Sequence, residues 1–185
     1  MVNLYVALVH YPVVNRQGLT IASAVTNLDL HDIARSVCTY GVKAFYVVTP
    51  LTDQMKLVET IVSHWTQGPG GWHNPKRREA LSLIRIEEAL SGVVGHIRDQ
   101  GGEGVPKIVV TSAKKRSGSI DYARFREMIQ TGEPYLLVLG TGWGLSDTVM
   151  DDADYLLQPV SGPVNYNHLS VRSAAAIILD RLLGC

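Results

Sequence analysis

Residues 136–145 read Leu-Leu-Val-Leu-Gly-Thr-Gly-Trp-Gly-Leu, and this stretch decides the fold. The apolar run Tyr135–Leu139 is a predicted strand that leads directly into alternating glycines at Gly140, Gly142 and Gly144. A short helix is predicted to follow, at Leu145–Met150, and a buried strand that enters a helix in this way is typical of a parallel sheet. Glycine there lets backbone N–H groups approach a ligand that a Cβ would exclude; a tight turn without a ligand is the alternative.

The spacing of these glycines argues against a dinucleotide-binding loop. Such a loop has the pattern G-x-G-x-x-G near the first strand, with an acidic residue about 20 positions later. Here the pattern is G-x-G-x-G, and the corresponding downstream region, Pro163-Val164-Asn165, contains no acid. A loop for another ligand is therefore favoured.

A second turn, residues 157–168, precedes a long C-terminal helix predicted from about His168 to Leu183. Asn167 is the predicted N-cap, and the N–H donors at that helix end suit a carboxylate or a polar ligand edge. The helix is apolar over much of its circumference, which fits either a subunit interface or the core of a monomer. Arg172 and Asp180 interrupt the apolar face and are candidates for pairing with a partner.

Strand-like and helix-like segments alternate along the rest of the chain. Further strands are predicted at Leu4–Val9, Ala44–Val48, Leu81–Ile86, Lys107–Thr111 and Tyr155–Leu157. Further helices are predicted at Asp29–Tyr40, from Leu51 or Thr52 to Trp65, at Glu87–Arg98 and at Asp121–Gln130. Loops are predicted at Asn15–Gly18, Gln67–Pro75 and Gly101–Gly104. Strands separated by helix-length crossovers predict an α/β fold, with a mostly parallel sheet, helices on both faces and one domain over residues 1–185.

The composition fits an ordinary globular domain. Of 185 residues, 46% are hydrophobic and 18% charged, which argues against a disordered or fibrous chain. Seventeen Lys and Arg balance seventeen Asp and Glu, so a protein that coats nucleic acid by bulk charge is disfavoured. No apolar run approaches the roughly 20 residues of a membrane helix. Cys38 and Cys185 lack the short spacing of a metal site, so we expect no metal and free thiols in the cytoplasm.

The cations are unevenly distributed along the chain. Six of them form two clusters at predicted loop-to-helix junctions: Lys76, Arg77 and Arg78, and Lys114, Lys115 and Arg116. The first cluster follows a glycine-rich loop that contains Trp72, and cations beside an exposed aromatic ring suit RNA phosphates and a stacked base. A solvated helix start is the alternative, although cations oppose the helix dipole there. Arg16, in the loop after the first strand, is a further candidate for RNA contact or an ordinary turn residue.

Three motifs resemble those of the SPOUT superfamily of S-adenosylmethionine-dependent RNA methyltransferases. Residues 137–145 look like its second motif, and residues 158–162 together with 167–175 look like its third. Asn27, Arg35 and the pair Tyr40-Gly41 look like its first, in which an asparagine precedes a helix that carries an arginine. The resemblance runs from about residue 27 to the C-terminus and is closest to a small stand-alone branch of the superfamily.

This resemblance implies a deep C-terminal trefoil knot that binds S-adenosylmethionine, and a homodimer that brings the partner subunit close to the donor. It implies methylation of RNA, either tRNA or rRNA; a non-catalytic module of the same fold that binds the donor or RNA is the alternative. The residues implied to hold the donor, largely through their main chain, are Thr111, Leu139, Gly140, Thr141, Gly142, Gly144, Pro159, Val160, Gly162, Asn167, His168 and Leu169.

Arg35 is the catalytic residue that the resemblance implies. A guanidinium can fork onto a phosphate or polarise the acceptor atom. Without the resemblance, Arg35 would be interpreted as a solvated or ion-paired helix charge, with Asp32 or Glu103 as its partner. His31 is expected to have a structural role and His168 to orient the donor.

Overall fold

The computed structural model, which describes residues 2–101 and 104–185, is built on a six-stranded sheet. Its strands are β1 (Leu4–Val9), β4 (Phe45–Val48), β5 (Ile84–Glu87), β6 (Lys107–Thr111), β7 (Tyr135–Gly140) and β8 (Tyr155–Leu157). They lie in the order β5-β4-β1-β7-β6-β8, and every neighbouring pair is parallel. Two short strands, β2 (Val13–Val14) and β3 (Thr20–Ile21), form a separate antiparallel hairpin.

Eight helices connect these strands in the described part of the chain. They are α1 (Asn27–Thr39), α2 (Thr52–Thr66), α3 (Pro69–His73), α4 (Pro75–Leu81), α5 (Leu90–Gly101), α6 (Tyr122–Gln130), α7 (Asp147–Asp151) and α8 (Val171–Leu183). None of the helices in this part of the chain combines the length and the apolar character that crossing a bilayer requires.

The central strands are apolar along their whole length because helices cover both faces of the sheet. Every residue of β1 is buried, as are the first five of β7. One face packs against α1, α2, α4, α6 and α8, with Phe45 and Phe125 among the largest fully buried side chains. The other face packs against Val93 and Ile97 of α5, Val149 of α7 and Val13 of the hairpin.

The predicted fold class is confirmed: the sheet is parallel and its helices lie on both faces. All six strands of the sheet lie where the sequence predicts strands, to within three residues at either end. The turn predicted at Gly101–Gly104 falls partly on Gly102 and Glu103, which lie outside the described residues. The trefoil knot stays a prediction.

The region between α2 and β5 differs from its prediction. The segment Gln67–Pro75 is predicted as a loop but contains α3, and the strand predicted from Leu81 begins only at Ile84 because α4 occupies Pro75–Leu81. Proline stands at the first position of both helices, where its missing N–H costs no hydrogen bond. The Asn74 side chain caps α4 by accepting from the Arg77 N–H at 3.0 Å.

Candidate functional site

Three neighbouring strands end at one edge of the sheet, and the loops that follow them form the candidate site. These strands are β7, β6 and β8, and parallel strands present all their carboxyl ends at the same edge. Thr111 closes β6, where its hydroxyl donates to the Val138 carbonyl of β7 at 3.1 Å. The Asn167 side chain, in the loop after β8, donates to the Ala113 carbonyl after β6 at 2.8 Å. The structure therefore brings the predicted donor-binding segments together.

The glycine turn after β7 packs against the β2–β3 hairpin. The Thr141 N–H donates to Val9 at 3.2 Å, and the Trp143 N–H donates to Val14 at 3.0 Å. Gly142 has φ +60°, and a Cβ there would lie 3.1 Å from the Val14 carbonyl oxygen. These glycines therefore permit close approach of the hairpin, and much of the turn's donor capacity is used within the protein.

The segment from Pro159 to Leu169 is open by comparison. No backbone–backbone hydrogen bond joins its residues to each other or to any other described residue. Leu169 is 43% exposed at one end of the segment, and Trp143 of the glycine turn is 59% exposed. A nucleoside with a flat apolar base and polar edges needs both free backbone groups and apolar walls. This edge offers both.

The N-cap predicted for the C-terminal helix is wrong. Ser170, not Asn167, caps α8, because its hydroxyl accepts from the Ser173 N–H at 3.3 Å. Asn167 lies outside the helix, and its amide is already bonded to Ala113. Its role is to hold two loops of the candidate site together.

A series of hydrogen-bonded polar side chains, which was not predicted from the sequence, lies beneath the glycine turn. His10 follows β1 and has no exposed surface. Its Nδ1 lies 3.0 Å from the Ser23 hydroxyl, which in turn contacts the Thr141 hydroxyl; Thr141 donates to the Val9 carbonyl at 3.0 Å. Burial lowers the pKa of His10 to about 4, although the nearby Asp29 carboxylate opposes that shift. The sequence signal for this buried series is a histidine that directly follows an apolar strand.

The ion pairs around α1 also differ from expectation. Arg172 of α8 pairs with Asp29 at 3.3 Å and with Asp32 at 3.4 Å, so Arg172 binds within its own chain. The other candidate for an external partner, Asp180, accepts from the Tyr40 hydroxyl at 2.9 Å. These contacts join α1 to α8, which lie far apart in the sequence.

Arg35 is exposed on α1 and makes no ion pair or hydrogen bond with its side chain to any residue that the structure describes. Asp32, its predicted partner, is engaged by Arg172 instead, and Glu103 lies outside the described residues. A guanidinium without a structural partner remains available to an anionic or polar ligand.

The first basic cluster lies beside the helix that carries Arg35. α1 and α4 pack against each other, and the His31 ring meets the Trp65 ring edge-on at 5.5 Å. Arg77 stacks over Trp65 at 4.7 Å, whereas Lys76 pairs with Glu79 at 2.9 Å. The fold therefore places Arg35 and the cluster on neighbouring elements.

The second cluster and Arg16 lie near the candidate site. Lys114, Lys115 and Arg116 are exposed in the loop after β6, directly beyond the Ala113 carbonyl that binds Asn167. Arg16 is exposed in the turn of the β2–β3 hairpin, which packs on the glycine turn. Cations from two loops therefore border the edge where the donor-binding segments meet.

Two cavities of the molecule lie elsewhere. One of about 650 Å³ is lined by Tyr5, Tyr46 and His96, and one of about 370 Å³ lies between α2 and β5. In the described residues, no three His, Cys, Asp or Glu side chains come together as a metal ion would require. The candidate site is therefore an open edge of the sheet and not one of these cavities.

Comparison with known proteins agrees with the resemblance that the sequence motifs indicate. Residues 3–184 match the family model described as SAM-dependent RNA methyltransferase. A tRNA (guanine-N(1)-)-methyltransferase of Nitratidesulfovibrio vulgaris is 50% identical over 182 residues, which are 98% of this chain and 42% of that protein. An uncharacterized protein of Aquifex aeolicus is 37% identical over 98% of this chain and 89% of its own length. The chain thus spans about two fifths of the named relative.

Solved structures share the fold. The A. aeolicus TrmH/SpoU tRNA modifying enzyme superposes with a TM-score of 0.60 at 20% identity, over 99% of this chain and 75% of that one. The SpoU methyltransferase AviRb from Streptomyces viridochromogenes, in complex with AdoMet, superposes with a TM-score of 0.57 at 18% identity, over 99% and 58% of the two chains.

Proposed function

The chain belongs to the family of S-adenosylmethionine-dependent RNA methyltransferases, and from this premise we propose that it methylates a nucleotide of tRNA. The observation that carries the proposal is the meeting of three strand-end loops, after β6, β7 and β8, at one edge of the sheet. The tRNA substrate is supported by the longer relative, which is a tRNA (guanine-N(1)-)-methyltransferase by name.

The proposed donor site uses the open segment after β8 as its main wall. Backbone groups of Val160, Gly162 and Asn167 bind the polar edges of the donor, and the Pro159 ring lines the same wall. Leu169 provides apolar contact. The main chain at Thr111, Leu139, Gly140, Thr141, Gly142 and Gly144 fixes the opposite side. His168, exposed on the same segment, orients the donor from the solvent side.

The reaction supplied by the bound donor is a direct displacement: the sulfur–methyl bond breaks, sulfur keeps the electron pair, and a lone pair of the RNA atom forms the new bond. The rate of methyl transfer then depends on how well the chain aligns the acceptor atom with the sulfur–methyl bond. We assign that task to Arg35, whose free guanidinium can fork onto a phosphate beside the acceptor or polarise the acceptor itself.

Arg35 lies about 12 Å along α1 from the amino-terminal end of that helix, on its solvent side. We therefore propose a homodimer in which Arg35 serves the donor site of the partner subunit. The side chain of Arg35, which is exposed and unpaired within the described part of the chain, supports this arrangement.

The proposed RNA surface consists of Arg16 and the cluster Lys114, Lys115 and Arg116 around the donor edge, with Lys76, Arg77 and Arg78 beside Arg35. Phosphate contacts of this kind position an RNA without reading its sequence. We further infer that residues 1–185 form one such domain, since strands of one six-stranded sheet come from both ends of the described chain. We also infer that the tRNA substrate places the reaction in the cytoplasm.

The test is transfer of labelled methyl from S-adenosylmethionine into separated tRNA and rRNA pools. We expect label in tRNA, and we expect Arg35→Ala to lower the rate by about 100-fold while donor affinity is unchanged, as for loss of one transition-state contact. Arg124→Ala, which removes an exposed arginine of α6, is the matched control and should transfer at the wild-type rate.

Two outcomes would contradict this assignment in different ways. If Arg35→Ala transfers methyl as fast as wild type, Arg35 has no part in the mechanism. If the wild type binds the donor and labels no RNA, the chain is a non-catalytic binding module of the same fold.

A further inference from the structure

The connection between β4 and β5 is larger than a crossover between adjacent parallel strands requires. It contains α2, α3 and α4, whereas a single helix suffices for such a crossover. α3 packs on α2, and α4 packs on both α1 and α2. The additional helices therefore form a supported unit on the surface.

Two glycines fix α3 tightly against α2. A Cβ at Gly70 would lie 2.7 Å from Nε2 of His64, and a Cβ at Gly71 would lie 2.2 Å from the Trp65 carbonyl oxygen. Side chains cannot be accommodated at these distances, so α3 lies flat on α2. The next residue, Trp72, projects into solvent and is 77% exposed.

One cation without an ion pair to any described residue lies against α3, at the residue that precedes Trp72. The Arg78 side chain passes α3, because its Cδ lies 3.2 Å from where a Gly71 Cβ would be. Arg78 is exposed and has no ion pair or side-chain hydrogen bond within the described chain. Lys76 is 90% exposed, and its pair with Glu79 is a surface contact that water weakens.

Two of the three cations do not stabilise the helix that carries them. Lys76 and Arg77 lie in the first turn of α4, where positive charge opposes the helix dipole, whereas Arg78 lies in its last turn. Arg77 offsets part of that cost by stacking on Trp65. Lys76 has no comparable packing, so its position favours an anionic ligand over helix stability.

We propose that Trp72 and Arg78 bind an unpaired nucleotide of the RNA substrate, with the base stacked on the indole and its phosphate bound by the Arg78 guanidinium. The proposal rests on the function proposed above and names the substrate class: an RNA with an exposed base in a loop, bulge or end. Paired bases are stacked inside a duplex, so the face of Trp72 suits only an unpaired one.

Trp72 lies far from the donor edge of its own chain. α2 begins just beyond the carboxyl end of β4 and its 15 residues rise about 22 Å before α3 is reached. The Trp72 surface therefore contributes to RNA affinity and not to donor binding.

The test compares wild type with Trp72→Ala and Trp72→Phe, using unfractionated bacterial tRNA. Stacking on one aromatic ring predicts that Trp72→Ala weakens tRNA binding and raises its KM by roughly 5- to 150-fold. The affinity for S-adenosylmethionine and kcat should stay within about twofold of wild type, because the site is remote. Trp72→Phe should retain most of the affinity, since a ring remains. Leu57→Ala, which trims another exposed apolar side chain of the same unit, is the matched control.

Binding measured by anisotropy of labelled tRNA does not require turnover, so failure of this proposal is distinguishable from failure of the proposed function. Unchanged tRNA affinity in Trp72→Ala would overturn the assignment, whether or not the wild type transfers methyl. So would a change in oligomeric state on sedimentation, because Trp72 would then contact a second copy of the chain. If the wild type transfers no methyl group but Trp72→Ala still weakens tRNA binding, only the proposed function is overturned.

Discussion

His10 shows how one buried residue can position a functional loop from beneath. Its imidazole lies under the glycine turn, and Ser23 links it to the Thr141 hydroxyl. If Nδ1 donates to Ser23, each hydroxyl in the chain can donate to the next acceptor, ending at the Val9 carbonyl. The imidazolium could donate in the same way, but the low pKa of His10 favours the neutral Nδ1–H form at neutral pH.

Stability should depend on pH through this residue. The pKa of His10 is about 4 in the folded chain and near 6.5 in the unfolded chain, so the unfolded state binds the proton more tightly. The contribution to folding is complete above pH 6.5 and is lost as pH falls towards 4. We expect the free energy of unfolding to fall by about 3 kcal/mol over this window from His10 alone. Chemical denaturation at a series of pH values measures it.

His10→Asn provides the comparison, because asparagine does not titrate. The difference in unfolding free energy between wild type and His10→Asn should narrow as pH falls from 7 to 4. His73→Asn, at an exposed position of α3, should follow the wild-type curve throughout. A constant difference between wild type and His10→Asn would contradict the role assigned to the buried imidazole.

At the scale of elements, the start of α8 separates helix stability from ligand binding. Ser170 caps the helix, while Asn167, three residues earlier, joins the loops after β6 and β8. Ser170 stabilises the helix, and Asn167 holds the loops of the candidate site together, although only two residues separate them.

The two residues should therefore respond differently to substitution. Ser170→Ala should lower the free energy of unfolding by about 1 kcal/mol through loss of the cap. Asn167→Ala, at an exposed position, should change it by less than about 0.5 kcal/mol and yet weaken S-adenosylmethionine binding. Denaturation and calorimetric titration of both variants measure these effects. Equal losses of stability in the two variants would return the capping role to Asn167.

Elements that depend on local pattern were predictable, and elements that depend on distant contacts were not. The apolar runs of β1 and β7 identify themselves as strands. α3 contains Gly70 and Gly71, which disfavour a helix locally, and it forms because close packing on His64 and Trp65 requires glycine. The two-residue strands of the β2–β3 hairpin are too short to show any periodicity.

The same distinction holds for the candidate site. The glycine turn and the segment after β8 were identified from sequence because both are dense in turn residues. The ion pairs of Arg172 with Asp29 and Asp32 span almost the whole chain, and no local pattern could indicate them. The buried chain from His10 to Thr141 is equally non-local.

At the scale of the whole molecule, the net charge of zero conceals an uneven distribution. Exposed cations border the donor edge at Arg16 and residues 114–116, and the cations of α4 stand beside Arg35. The proposed homodimer would double each group. This arrangement fits a compact RNA site and argues against tight, unspecific binding to nucleic acid.

The central claim is that the edge formed by the loops after β6, β7 and β8 holds S-adenosylmethionine. Calorimetric titration of the wild-type chain with the donor tests it most directly. We predict saturable binding of one donor per chain, unchanged in Arg35→Ala and weakened in Asn167→Ala. No detectable binding at millimolar donor would contradict it.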